Sequence, residues 1–282
     1  MQIIEMIDDY ARMVEESKTI GKFNAYKAYT EKFPDLFGFI FEHLYMQPIS
    51  ALQGLIEQAD FECLLKQGLE NRRIGMARQI VTSASAVADD LDFDKDFRIY
   101  LGMELGNIGG CLASVDPARP ALFIGTEVTR SAEFIDQIVP HEFNHMVRAS
   151  AVGADLSEIN TVLGRAMAEG LAVYYDGLAF NHQPFSDESF ALQNGLSQAQ
   201  IRYLSKSGDS LLTEMETKLD LPPTEALHRD LFIVNSGDDQ SCVPGYYYGT
   251  SVIARLVESG QSLAELTRLP SQQIYDAYLK LK

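Results

Sequence analysis

Two histidines four residues apart, His141 and His145, constrain the fold of this chain more than any other feature. They lie in the run Pro140-His141-Glu142-Phe143-Asn144-His145. Residues at this spacing share one face of an α-helix, one turn apart. Two imidazoles held in this way can bind one metal ion, and Glu142 can accept a proton from a water that the metal activates. The run therefore predicts a helix with a metal site. The alternative is a surface helix whose two histidines have no joint role.

A third candidate ligand, Glu169, lies in a later segment of small and apolar residues, 164–172. An ionised carboxylate in such a segment is costly unless a cation lies nearby. Two histidines, one glutamate and an open position form a known catalytic zinc set. Arg165, four residues earlier, offers the alternative of an ion pair with Glu169. In that case His182 and His228 are the next candidates for the third ligand.

Together, the His-Glu-Phe-Asn-His run and the Glu-Gly-Leu-Ala segment at residues 169–172 resemble a family of predicted bacterial zinc-dependent proteases of the gluzincin kind. The resemblance covers about residues 97–176 and 245–249, and residues 1–90 lie outside it. It implies a zincin-like metallopeptidase core, in which a small sheet packs against the His141 helix and offers an edge strand to an extended peptide.

The sequence departs from several gluzincins after the third ligand. In those proteins an aspartate one turn further along the helix orients a histidine ligand, but here that position is Val173. The nearest acid is Asp176. It is either such a positioning residue or an acid that faces solvent.

The predicted activity is zinc-dependent hydrolysis of peptide bonds. The predicted zinc ligands are His141, His145 and Glu169. Glu142 is the predicted general base. The resemblance extends to residues 245–249, where two glycines bracket three tyrosines and are expected to let the backbone turn sharply. Tyr246 is therefore the predicted second donor to the oxyanion, ahead of His228. The alternative is a core tyrosine with a hydrated hydroxyl group.

Two other functions remain open from the residues alone. One is a catalytically silent module that binds peptides on a metallopeptidase fold. Glu142 favours catalysis over this alternative, because a purely structural metal site has no use for a carboxylate between its histidines. The other is metal-dependent hydrolysis of an amide that is not a peptide.

The expected fold class is α+β and mostly helical. Helical periodicity dominates the first 90 residues, beginning with an amphipathic pattern at residues 2–18, and predicts an N-terminal helical layer. Composition changes near Asp90, where we place a boundary between an N-terminal helical region (1–90) and a zincin-like metallopeptidase domain (91–282). Short β-rich runs at residues 97–101 and 121–124 predict two strands. Glycines at residues 106–110 predict a turn, or a backbone that a peptide substrate approaches closely.

Charge and composition narrow the possible partners. The chain has 40 acidic and 23 basic residues, and its net charge of −17 argues against binding to nucleic acid. Its three scattered cysteines contain no C-x-x-C pair, which favours a reducing compartment and excludes a cysteine-rich zinc site. No apolar run reaches the length of a membrane helix, and the acidic first residues do not resemble a signal peptide. We therefore expect a cytoplasmic protein that acts on a peptide or protein substrate, with no membrane partner.

Overall fold

The computed structural model describes residues 1–114, 116, 118–129, 131–153, 157–180, 182, 185–235 and 237–282. These residues form two compact units, Met1–Met146 and Val147–Lys282. The division falls inside one long helix. The predicted domain boundary near residue 90 stays a prediction.

The first unit contains a small mixed sheet. The strands found among the described residues are β1 (Gln2–Glu5), β2 (Arg98–Gly102), β3 (Gly110–Ser114) and β4 (Ala121–Gly125). Their order is β1-β2-β4-β3, in which β1, β2 and β4 are parallel and β3 is antiparallel to β4. β2 and β4 confirm the two predicted strands. The interpretation of residues 2–18 as one helix is wrong at its start, because β1 pairs with β2.

Helices of the first unit pack against this sheet. They are α1 (Ile7–Ile20), α2 (Lys22–Thr30), α3 (Pro34–Phe39), α4 (Gln53–Gln58), α5 (Phe61–Arg73), α6 (Met76–Asp90) and the first part of α7 (Ala132–Val152). A π-helical turn (Ile40–Leu44) and a 3-10 turn (Ile49–Leu52) lie between α3 and α4. One core joins Tyr10, Tyr26 and Phe37 of the helices to Tyr100 and Phe123 of the sheet. These large side chains hold the helical layer on one face of the sheet.

Helix α7 packs on the face of β3 opposite the helical layer. Cys111 belongs to the core beneath the helical layer, whereas the neighbouring Gly110 faces α7, where a side chain would meet Ile138. Successive residues of a strand point to opposite faces, so the helical layer and α7 lie on the two sides of β3. Phe143 of α7 is fully buried and meets Phe97 edge-on, with ring centroids 5.1 Å apart.

The second unit is helical in its described residues. It contains the end of α7, α8 (Val162–Val173), α9 (Asp187–Gln193), α10 (Gln198–Glu216), α11 (Glu225–Phe232), α12 (Pro244–Glu258), α13 (Leu263–Thr267) and α14 (Ser271–Leu279). A 3-10 turn (Ser157–Ile159) precedes α8, and a π-helical segment (Tyr174–Phe180) follows it. The predicted turn at residues 245–249 is wrong, because Gly245 and Gly249 both lie inside α12.

These glycines instead allow helices to pack closely. A Cβ atom on Gly249 would lie 1.8 Å from the carbonyl oxygen of Ala166, and one on Gly170 would lie 2.2 Å from the carbonyl carbon of Gly249. The backbones of α8 and α12 therefore touch where no side chain fits.

The architecture confirms an α+β, mostly helical fold with a small sheet. Within the described ranges, no helix has the length and hydropathy that a membrane span requires.

Candidate metal centre

Helix α7 places His141 and His145 side by side, as their spacing predicts. The two Nε2 atoms are 3.2 Å apart, and the ring centroids are separated by 4.8 Å. Both side chains are half-buried, so solvent or a substrate can reach them. On the buried side of the same helix, Ile135, Val139 and Phe143 are fully buried. This stripe fixes the rotation of α7 and hence the direction of the two imidazoles.

Glu169 joins the two histidines in one group. One ligand atom from each of His141, His145 and Glu169 lies within 4.8 Å of the other two. A tetrahedral ion with metal–nitrogen bonds of about 2.0–2.1 Å separates its ligand atoms by about 3.3–3.4 Å. The observed 3.2 Å between the imidazole nitrogens is close to that separation. The donor set of two imidazoles and one carboxylate can therefore hold a metal ion.

Glu142 lies one residue after His141 and points towards the start of β3. Its side chain is only 8% exposed. A Cβ atom on Gly110 would lie 2.7 Å from Glu142 Cγ and 2.9 Å from Ile138 Cγ1. Gly110 thus leaves the space that the glutamate occupies. The predicted approach of a peptide substrate to this glycine run stays a prediction.

Helix α8 holds Glu169 on an element whose only other charged residue is Arg165. The hydroxyl group of Thr161 caps its N-terminus by accepting a hydrogen bond from the Gly164 N–H at 3.0 Å. Gly170, directly after Glu169, is the residue at which α8 meets α12. The Glu-Gly pair therefore combines a half-buried candidate ligand with the contact that fixes its helix.

Arg165 is bound to His228 on α11. The Arg165 Nη1 atom lies 2.6 Å from His228 Nδ1. A guanidinium group can only donate, so Nδ1 must accept, and the imidazole carries its proton on Nε2. Burial lowers the pKa of His228, the charge of Arg165 lowers it further, and Glu169 opposes both effects. His228 therefore accepts from Arg165 at Nδ1 and carries its proton on Nε2.

Tyr246 belongs to the same neighbourhood of the second unit. It is half-buried on α12, and its ring centroid lies 5.8 Å from that of Phe232. Phe232 in turn stacks on His228 at 5.9 Å and packs against the guanidinium of Arg165 at 5.9 Å. Both predicted oxyanion donors thus flank one aromatic ring. The role of Tyr246 in catalysis stays a prediction.

Two other residues that the sequence singles out are Asp176 and His182. Asp176 is 1% exposed and accepts a hydrogen bond from Gln193 Nε2, so the interpretation as a solvent-facing acid is wrong. His182 is exposed and adopts a left-handed backbone conformation, with φ of 55°. No described contact of His182 supports it as the third ligand in place of Glu169.

Arg148, three residues after His145, is a structural anchor that the sequence motifs do not identify. It is 2% exposed and donates to Leu269 O at 2.7 Å, Ser271 Oγ at 2.7 Å and Glu158 Oε2 at 3.1 Å. The sequence signal that could have identified this anchor is an arginine on the apolar face of α7, since a buried cation needs partners. This network fixes the C-terminal end of α7.

No protein-family model, curated protein or solved structure matches the chain. The family resemblance of the metal-binding motifs therefore stays a prediction.

Proposed function

We propose that this protein is a zinc-dependent peptidase with a zincin-like core. The observation that carries the proposal is the geometry of His141 and His145, whose Nε2 atoms lie 3.2 Å apart in a group with Glu169. Two imidazoles and one carboxylate are the ligand set of known catalytic zinc sites, which leave a fourth position open. When bound there, zinc would polarise a water molecule and the scissile carbonyl group.

Glu142 is the residue that moves protons in this proposal. It lies beside the first histidine, in a pocket left by Gly110. Its carboxylate accepts the proton of the attacking water and then delivers it to the leaving amine.

The edge strand β3 supports a peptide as the substrate. Within the described residues, β3 pairs only with β4, and its other side has no strand partner. An extended peptide can pair with such an edge through main-chain hydrogen bonds. Because Gly110 at the start of β3 adjoins Glu142, a peptide bound along this edge would pass close to the proposed base.

Metal analysis tests the ligand set. We expect about one zinc per chain in the purified protein and a sharp loss of zinc in His141→Ala, His145→Ala and Glu169→Gln. His43→Ala is the matched control, since this exposed histidine contacts only Glu42 and Phe39 among the described residues. Undiminished zinc in His141→Ala or His145→Ala would refute the site.

Glu142→Gln separates catalysis from binding. The amide keeps the shape of the side chain but cannot accept the proton, so hydrolysis of a peptide library should fall by several orders of magnitude at unchanged zinc content. Glu133→Gln, an exposed acid on the same helix, should retain activity. A wild-type protein that binds zinc and peptides but cleaves none would favour the peptide-binding module.

A further inference from the structure

Two carboxyl groups are buried in the first unit, away from the metal ligands. Glu104 follows β2 and is fully buried, and Glu127 follows β4 and is 5% exposed. Ionised carboxylates are almost never buried to this extent without a cation. The proposed function uses neither residue.

Both groups hold the loop that connects β2 to β3. Glu127 Oε1 accepts the Glu104 N–H at 2.7 Å, and the backbone N–H of Gly106 lowers the pKa of the Glu127 carboxyl. Glu104 accepts the hydroxyl group of Tyr45 and, at 3.3 Å, the Asn107 N–H. The path of residues 103–107 therefore depends on these two side chains.

The same loop leads directly to Glu142. Gly109 O accepts the Gly125 N–H at 2.9 Å, and a Cβ atom on Gly125 would lie 2.1 Å from Ile108 O. The next residue, Gly110, opens β3 and adjoins Glu142. A displacement of residues 103–107 would be transmitted within three residues to the edge strand and the proposed base.

Among the residues that the structure describes, no cation compensates the charge of the pair. The titratable groups that face it are Tyr10 of α1, Tyr26 and Tyr29 of α2, Tyr45, and Cys111 of β3. None of the described lysines, arginines or histidines forms an ion pair with Glu104 or Glu127 or contributes to the pKa of either. Glu127 Oε2 and the hydroxyl groups of Tyr10 and Tyr26 are buried without a hydrogen-bond partner among the described residues.

Burial therefore opposes a double negative charge. It raises the pKa of Glu127 to about 7, aided by the charge of Glu104, and it raises the pKa of Glu104 as well. One carboxyl group of the pair can stay protonated near neutral pH, whereas an exposed glutamate ionises near pH 4.3.

We propose that Glu104 and Glu127 form a proton-controlled brace, which retains one proton as a pair and releases the loop into β3 when that proton is lost. The part of this proposal that concerns Glu142 rests on the proposed function. The brace itself does not. Loss of the proton leaves two buried carboxylates without a cation among the described residues, and opening the loop to water relieves the cost of burying them. The position of β3 beside Glu142 thereby responds to pH.

The direction of the pKa shift of Glu127 determines how the stability of the protein changes with pH. Glu127 has a higher pKa in the folded chain than in the unfolded chain, so the unfolded state loses its proton first as the pH rises. Stability then falls between about pH 4.5 and about pH 7, and the loss stays constant above that window. A pKa shift from 4.5 to about 7 changes the unfolding equilibrium constant by roughly three-hundredfold.

Urea unfolding of the full chain at about pH 5 and about pH 8 tests the brace. In the wild type the unfolding equilibrium constant should rise between these pH values by roughly three-hundredfold more than in Glu127→Gln, because the amide carries no charge and still accepts the Glu104 N–H. Glu31→Gln, an exposed acid of the same unit with its side chain 66% accessible, should follow the wild type. Equal pH dependence in wild type and Glu127→Gln would overturn the proposal.

Amide hydrogen exchange of residues 103–110 tests the release of the loop. After correction for intrinsic exchange, this segment should exchange faster at high pH in the wild type but not in Glu127→Gln. Unchanged protection in the wild type would refute the link to β3. If Glu127→Gln does not fold, Tyr45→Phe replaces it. This change removes a hydrogen bond to the ionised form of Glu104, so the pH range over which stability falls should move upward. An unchanged pH range would count against the brace.

A bound cation is the competing explanation for the buried charge. If added sodium or calcium abolishes the pH dependence in the wild type but not in Glu127→Gln, an ion compensates the charge and the proposal of a retained proton is wrong. These measurements require neither hydrolysis nor bound zinc. Failure of the brace is therefore distinguishable from failure of the proposed peptidase.

Discussion

Replacing Gly249 with alanine should force α8 and α12 apart and displace Glu169. The added Cβ would lie 1.8 Å from Ala166 O and would also approach Gly170 Cα at 3.0 Å. Both obstacles are backbone atoms of α8, so no side-chain rotation can relieve the overlap. An ordinary contact needs about 3.4 Å, which means that the two backbones must separate by roughly 1.5 Å.

The cost can be bounded from the packing of the two helices. Overpacking a core with one methyl group costs about 1–3 kcal/mol when side chains can adjust. Here the backbone must move, and the fully buried Tyr248 and Met167 lose part of their packing. We therefore expect Gly249→Ala to lower the free energy of unfolding by about 3 kcal/mol or more, and to weaken zinc binding because Glu169 precedes Gly170 on the displaced helix.

Urea denaturation and zinc titration measure these two effects. Gly38→Ala is the matched control, because this helical glycine has nothing within 4 Å of an added Cβ. It should leave zinc binding unchanged and stabilise the protein by up to about 1 kcal/mol. If Gly249→Ala lies within about 0.5 kcal/mol of wild type and binds zinc equally well, the close contact of α8 with α12 is wrong.

Three further substitutions test single contacts. Gly110→Ala would place Cβ 2.7 Å from Glu142 Cγ and displace the glutamate. We therefore expect kcat to fall at least about tenfold at unchanged zinc content. A kcat equal to that of the wild type would show that the position of the glutamate is not critical. Arg148→Met removes a buried cation that pairs with the partly exposed Glu158 and should lower the free energy of unfolding by about 3 kcal/mol, as measured in urea. Tyr246→Phe should lower kcat by about a hundredfold with little change in KM or zinc content; wild-type kcat would make its hydroxyl group a core feature only.

The metal-binding helix could be predicted from sequence because its information is local. The spacing of His141 and His145 determines that they share a helix face, and any α-helix through those residues brings them together. The strands β2 and β4 were also predictable, since their runs of apolar and β-branched residues are typical of buried strands. Glu169 was recognisable as an acid in an apolar segment.

Strand β1 and the glycines of α12 required the tertiary structure. Gln2–Glu5 pair with residues almost a hundred positions away, and the apolar spacing of residues 2–18 fits a helix equally well without that partner. Gly245 and Gly249 suggested a turn, because glycine permits one. Their role is different: Gly249 lets α12 touch α8, a requirement set by another helix and invisible in the segment itself.

The sequence by itself determined which side chains can bind a metal and on which helix they lie. Only the tertiary structure decided that Gly110 makes room for Glu142, that Arg165 binds His228, and that Glu104 and Glu127 are both buried in the first unit. The physical reason is the range of the interactions involved. Helix periodicity acts over a few residues, whereas desolvation and close packing depend on chain segments brought together only by folding.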